Sequence, residues 1–480
     1  MKKTFTKLFS AGLLMGLTVI GFAANAQSTS ISGDAQTAAP VAATTSTTAT
    51  AMPVVKKETK STDADTKEVK KSDDPVDTAW KPQRRVWGYA FGDYYYDAHS
   101  PALTSTQGKE NNYYQVPTYR NAFQFRRIYL GYDYEITKRF KAEVLLSSEP
   151  TASTSVANAT SANVQNGDNL VDGKMGFFIK NFNIRYRDLW TGTDFVIGEL
   201  STPGFALNES GTNAPTSLSE ATWGYRSVER TITDFHKNNS YDVGASLQGT
   251  FDPATKNFGY VLMVANNSTS SLLSAANANT GFYKIFYGDI WAKFLNKKLY
   301  VDVYADYAKT AAATAAIGAQ DHNMFKIFAA YNAKPFTIGV EAYTQKLANG
   351  VTATDPTTKV ATPVDATVQG LSVWVKGGIT KTLNYFARYD TYNPDTDFNG
   401  MLGYAVNTNY GSYDPTTKEQ FVTAGLDWNP TKNVHFMPNV WFVQYKDQQD
   451  AIINGVANKN YLADNHTLVY RLTFFFTFGK

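Results

Sequence analysis

Residues 466–478 read His-Thr-Leu-Val-Tyr-Arg-Leu-Thr-Phe-Phe-Phe-Thr-Phe, and Leu468, Tyr470, Leu472, Phe474, Phe476 and Phe478 fall at every second position. Side chains alternate across a strand with a period of two, so these six share one face. Arg471, Thr473 and Thr477 lie on the other face. Phe475 interrupts that polar face and is expected to pack inward. A strand this aromatic on one side and this polar on the other suits a barrel wall between an apolar medium and a wet lumen.

Working back from this strand, segments of about ten residues with the same period recur to Val86. They number sixteen, at about 86–97, 121–135, 139–148, 175–188, 194–200, 239–251, 256–266, 281–294, 298–308, 321–333, 335–346, 367–379, 384–393, 418–429, 434–445 and 466–478. Their connections alternate in length. Thr137-Lys138, Asp252 to Thr255, Asn296-Lys297, Lys334-Pro335, Thr380 to Thr382 and Asn429 to Lys432 are tight. The segments 98–120, 149–174, 201–238, 347–366 and 394–417 are long and polar. A sandwich has no reason to sort its connections this way, whereas a transmembrane barrel has short turns on one side and long loops on the other. The fold class expected is therefore all-β, a 16-stranded antiparallel transmembrane barrel over residues 81–480. An even strand count returns both ends of that domain to the side of the short turns. The motifs Asp355-Pro356-Thr357-Thr358 and Asp414-Pro415-Thr416-Thr417 are read as turn chemistry alone.

The N-terminus supports export. Lys2 and Lys3 precede an apolar run from Leu8 to Phe22 and an Ala24-Asn25-Ala26 cleavage site, so residues 1–26 read as a signal peptide. Residues 27–80 are rich in Ala, Thr and Ser and then in Lys, Asp and Glu; with nothing to bury, they are expected to form a disordered periplasmic tail. Beyond the signal no run approaches the ~18 apolar residues of a spanning helix. The composition agrees with a barrel: 14% of residues are aromatic while the mean hydropathy stays at -0.33. There is no cysteine, which removes disulfides and thiol chemistry, and a net charge of +3 gives no reason to expect nucleic acid.

If the apolar faces point outward, the opposite faces form the pore wall. Its basic members are Arg127, Arg185, Arg187, Lys293, Lys326, Lys376, Arg388 and Arg471. Its acidic members are Asp133, Glu135, Asp242, Asp289, Asp302, Asp306, Glu341, Asp390 and Asp427. Eight against nine is a balanced wall, which implies weak charge selectivity. A sixteen-stranded barrel is wide enough to hold an aqueous channel. The longest loop, 201–238, carries Glu220, Trp223, Arg226, Glu229, Arg230, Asp234 and Lys237, and is the expected inward-folded constriction.

Three stretches resemble a known family. They are Phe125-Arg126-Arg127-Ile128-Tyr129-Leu130-Gly131-Tyr132-Asp133-Tyr134-Glu135, Ile197-Gly198-Glu199-Leu200-Ser201-Thr202-Pro203 and Arg226-Ser227-Val228-Glu229-Arg230. The chain from Trp87 to Phe478 is similar to the phosphate-selective porin O/P-like family and, more loosely, to the porins of Bacteroidetes outer membranes; the tail has no counterpart. The C-terminal strand likewise resembles the targeting strand of outer-membrane proteins, except that Gly479-Lys480 follow the last aromatic residue. The resemblance implies a homotrimer and a loop folded into the pore after the Gly-x-x-x-x-Pro stretch, with Arg226, Glu229 and Arg230 at the constriction. Ser201 stands where that family usually has a lysine, and with a balanced lumen this argues against phosphate specificity.

The expected function is passive diffusion of small hydrophilic solutes or ions through the lumen, with no cofactor, no metal and no catalysis. The expected partners are outer-membrane lipid, the solutes, further copies of the chain, and a periplasmic or outer-membrane protein. Two alternatives stand beside it. Inward aromatics such as Tyr283, Tyr287, Trp291, Tyr300, Tyr304, Trp374, Phe386 and Trp441 suit a filled barrel acting as a docking subunit. A surface hydrolase would use His99 or His236, although no G-x-S-x-G or H-E-x-x-H motif is present.

Overall fold

A computed structural model describes residues 80–100, 116–149, 170–171, 174–205, 218–236, 240–267, 282–355, 357–398, 405–406, 417–447, 452–453, 456–457 and 466–479. The signal peptide 1–26, the tail up to residue 79 and the loop positions 206–217 and 237–239 lie outside these residues.

Sixteen strands form one closed antiparallel sheet. They are β1 (Arg84–His99), β2 (Asn121–Glu135), β3 (Phe140–Ser148), β4 (Phe178–Trp190), β5 (Thr193–Ser201), β6 (Tyr241–Thr250), β7 (Phe258–Ala265) and β8 (Ile285–Phe294), followed by β9 (Leu299–Ala308), β10 (His322–Ala333), β11 (Phe336–Thr354), β12 (Ala361–Gly378), β13 (Leu383–Asn393), β14 (Thr417–Thr431), β15 (Val434–Asp447) and β16 (His466–Phe478). Each pairs with the next, and β1 closes the barrel on β16 from Gly88↔Phe478 to His99↔Leu468. Closure leaves the barrel wall no free sheet edge. A two-residue strand, Ala405–Val406, adds to the far end of β11.

The polarity is that of a water-soluble protein turned inside out. Leu130, Leu262, Ile290, Ile327, Val340, Leu371 and Leu472 are exposed on the outer face, whereas Asp93, Asp302, Lys326 and Thr473 are fully buried inside. The alternation read from the sequence therefore holds in most strands. β1 reverses it. Trp87, Tyr89, Phe91 and Tyr95 are buried inside the barrel while Gly88, Ala90 and Gly92 face outward, where the Phe478 and Phe474 rings of β16 lie against the two glycines. Phe475 packs inward as expected, beside Tyr89 and His435.

Large inward rings use the same device. Trp87 pairs across the ladder with Gly131, Trp291 with Gly259, and Trp374 with Gly339. In each pair the indole occupies the space where a β-carbon on the glycine would sit.

The loop expected at 347–366 is mostly strand. β11 continues to Thr354 and β12 starts at Ala361, because Val351, Ala353, Val364 and Ala366 keep the alternation through a stretch otherwise rich in Thr and Ala. The reversal between them is the expected Asp-Pro turn, in which Asp355 Oδ1 accepts the N–H groups of Thr357 at 2.8 Å and Thr358 at 2.7 Å.

Candidate functional site: the β5–β6 loop and the lumen

The connection from β5 to β6 contains two short helices, α1 (Leu218–Trp223) and α2 (Ile232–His236). Helices this short are not stable by themselves, so their anchors decide their place. The free N–H of Leu218 at the start of α1 donates to Asp302 Oδ2 on β9 at 2.8 Å. Lys326 on β10 donates to Ser219 Oγ at 3.3 Å, and Glu341 on β11 accepts both the N–H and the hydroxyl of Thr233. Four wall cations then donate to backbone carbonyls of the segment. Lys376 on β12 reaches Trp223 O at 2.9 Å, Arg471 on β16 reaches Val228 O at 3.0 Å, Arg388 on β13 reaches Arg230 O, and Arg126 on β2 reaches Ser227 O. Tyr225 donates to Asp427 on β14 at 3.2 Å, and Glu229 Oε2 accepts from Trp441 Nε1 on β15 at 3.2 Å. Every strand from β9 to β16 thus holds the segment. Charged groups bonded to buried backbone are among the stronger hydrogen bonds of a protein.

Within the segment the charges clasp one another. The Arg226 guanidinium lies 3.3 Å from Glu220 Oε1 and is paired more closely with Asp234. Burial alone would raise the Asp234 carboxyl, but Arg226, then Arg230 and Arg127, outweigh it and hold the group at about 2. Glu220 behaves oppositely: burial raises it, and the nearby Asp234 adds to the rise against the pull of Arg226. Burial, reinforced by Arg230 and Arg388, keeps His236 well below its ordinary range, so its ring is neutral where it stacks on Tyr392 at 3.6 Å. Across the lumen Glu149 receives Tyr129 and Ser147 hydroxyls at 2.9 Å and pairs with Lys180. Burial would raise Glu149, yet Arg127 and Lys180 drive it well below the carboxylate range.

At the end carrying the short turns, a cavity of about 880 Å³ opens inside the barrel. Arg85, Asp133, Lys141, Arg185, Arg187 and Lys293 are among its lining groups, and apart from Gln83, just before β1, its lining residues come from β1 to β8 and their turns. Its carboxylates are largely engaged: Asp133 lies 2.5 Å from Arg85 and 3.4 Å from Lys141, Glu135 is 2.7 Å from Arg187, and Asp194 is 3.1 Å from Arg185.

Most of the wall cations singled out from the sequence fall into two groups. Lys326, Lys376, Arg388 and Arg471 touch the β5–β6 segment, while Arg185 and Arg187 line the open cavity. Arg127 donates to Tyr129 Oη at 3.1 Å beside Glu149, and Asp242 accepts from Tyr287 at 3.0 Å. Arg226 and Glu229 are buried, whereas Arg230 keeps about a quarter of its side chain exposed (24%). His99 stacks on His466 at 3.7 Å. Sequence reasoning missed Arg126 and Asp93, which pair at 2.5 Å against the segment. Strict alternation turns only one of Arg126 and Arg127 inward. A β-bulge, with Phe91 opposite Arg127 and Gly92 opposite Phe125, frees Arg126 from the alternation. The adjacent arginine pair was the available signal.

No family model and no curated protein matches this chain. Among solved structures it is similar to the outer membrane channel DcaP of Acinetobacter baumannii, with TM-score 0.50 and 10% identity over 83% of this chain and 97% of that one. An anion-selective porin from Comamonas acidovorans gives TM-score 0.49 and 12% identity over 83% of this chain and 100% of that chain. The OmpF complex of Salmonella typhi gives 0.44 and 14% over 82% and 97%. At such identities the likeness to the DcaP channel is one of fold, a closed sixteen-stranded β-barrel.

Proposed function

We propose that this chain is an outer-membrane porin through which small hydrophilic solutes and ions diffuse passively. The observation that carries the reading is the inverted polarity, an apolar outer belt around a charged interior that contains an open cavity of about 880 Å³. A belt of that extent in water would aggregate, and in a bilayer it is the expected exterior. The short-turn end then faces the periplasm, where the tail would also lie, and a homotrimer of the porin O/P-like or Bacteroidetes type remains part of the proposal.

The segment 218–236 is read as the constriction. Its anchoring on β9 to β16, with the Arg126–Asp93 pair of β2 and β1 as a further hold, leaves the passage along the rest of β1 to β8, with Arg230 at its edge and with Arg226 and Glu229 acting as anchors. This sorting also bears on selectivity. Asp302, Glu341 and Asp427 are engaged by the segment, so they do not balance the passage. Of the side chains lining the cavity, eight are Lys or Arg and four are Asp or Glu, a surplus that favours small anions modestly.

Planar-bilayer recording tests the reading. Folded protein should carry steady current, with a reversal potential in a salt gradient displaced toward the anion. Silence from folded protein would favour the docking-subunit alternative, and a displacement toward the cation would overturn the assigned passage.

A further inference from the structure

The turns joining β8 to β15 form an arc of one charge sign. Lys298, Lys334, Lys381 and Lys432 occupy the four consecutive short connections of this arc, and all four are exposed. The connections themselves, 295–298, 334–335, 379–382 and 432–433, contain no carboxylate, and none of the four lysines is ion-paired with a described carboxylate. The end of β4 and the β6–β7 connection differ, since Asp188 and Asp252 stand there and cap the turn backbone.

Immediately beyond the lysines lies the outer apolar belt. Leu295, Tyr331, Phe336, Ile379, Trp428 and Phe436 are exposed within a few residues of them, and the last pair stacks at 5.7 Å. Aromatic rings of this kind settle at the level of lipid headgroups, and a lysine just outside them reaches the same depth with its stem on apolar surface and its ammonium in the headgroup layer.

We propose that this arc binds the phosphodiester headgroups of anionic phospholipids, such as phosphatidylglycerol, in the leaflet around the short-turn end. An ammonium ion is a compact, strongly hydrated charge suited to a phosphate, and basic side chains at a bilayer surface attract anionic lipid in proportion to their number. Each lysine adjoins the exposed belt and none of the four lines the cavity at the mouth of the barrel, which favours lipid over an acidic protein as the occupant. The proposal rests on the membrane reading above.

The test is the relative association of spin-labelled phosphatidylglycerol and phosphatidylcholine with the full chain reconstituted in phosphatidylcholine vesicles, with ion flux recorded on the same vesicles. Phosphatidylglycerol should be favoured several-fold at low salt, and the preference should fall to parity in molar salt and in the K298Q/K334Q/K381Q/K432Q variant. Parity in the unmodified protein, or a preference that neither salt nor the variant lowers, overturns the inference and leaves the arc to an acidic protein. Flux that persists alongside parity overturns this inference alone; absent flux overturns the channel reading.

Discussion

Single residues in this barrel act through what lies against them. Trp374 occupies the space over Gly339, so Gly339→Val is expected to force the indole off its site and destabilise the barrel by about 1–3 kcal/mol, read as a lower urea midpoint of unfolding. An unchanged midpoint would show that the ring is not held there. Arg226 is a second case. Arg226→Met leaves Glu220 and Asp234 buried without their shared counter-ion, a change that typically costs about 3–5 kcal/mol where such pairs are broken. Because the segment is anchored elsewhere, the expected outcome is local loosening, seen as protease cleavage within 218–236 while the barrel stays folded. The clasp also has a defined pH dependence. The Asp234 carboxyl is held at about 2, below its unfolded value, so its contribution is present above about 4 and is lost as pH falls through about 2. Glu220 shifts the other way and takes up its proton first, leaving the Arg226–Asp234 pair intact. The segment 218–236 should therefore resist protease steadily down to about pH 4 and loosen only in stronger acid. A change already near pH 6 would contradict the assignment.

At the scale of elements, the segment 218–236 is held by side chains rather than by its own helices. Replacing Lys376 with Met removes the donor to Trp223 O and should raise open-channel current noise without abolishing conduction, whereas Arg185→Met, in the cavity, should change the reversal potential and leave the noise alone. Sixteen strands were legible from the sequence because each carries its own period-two signal, and the ends of β16 needed nothing beyond the run from Leu468 to Phe478. Two features of these strands were not legible, for different physical reasons. The first half of β1 inverts its faces, with Gly88 and Gly92 covered by phenylalanines that arrive only on closure with β16, a contact nearly the whole chain away. β11 and β12 overrun the expected loop because small residues such as Ala353 and Ala366 carry little hydrophobic signal even where they are buried. The loop 201–238 stood out by length and charge. Which strands would hold it depended on the barrel being closed, so the sequence could supply its residues but not its wall.

For the whole molecule, counting inward charges along the chain gives a balanced wall, yet the structure divides those charges between two sectors. Lys326, Lys376, Arg388 and Arg471, with Asp302, Glu341 and Asp427, engage the segment; Arg185, Arg187 and their neighbours remain around the cavity. The absence of cysteine from the chain lets single introduced thiols probe the proposed passage along β1 to β8. Gln248 lines the cavity, and Ser372 is buried on the inner face of β12. In a planar bilayer, a charged methanethiosulfonate reagent should lower the single-channel conductance of Gln248→Cys stepwise and leave that of Ser372→Cys unchanged. Block of Ser372→Cys with Gln248→Cys untouched would place the passage on the opposite wall and contradict the account.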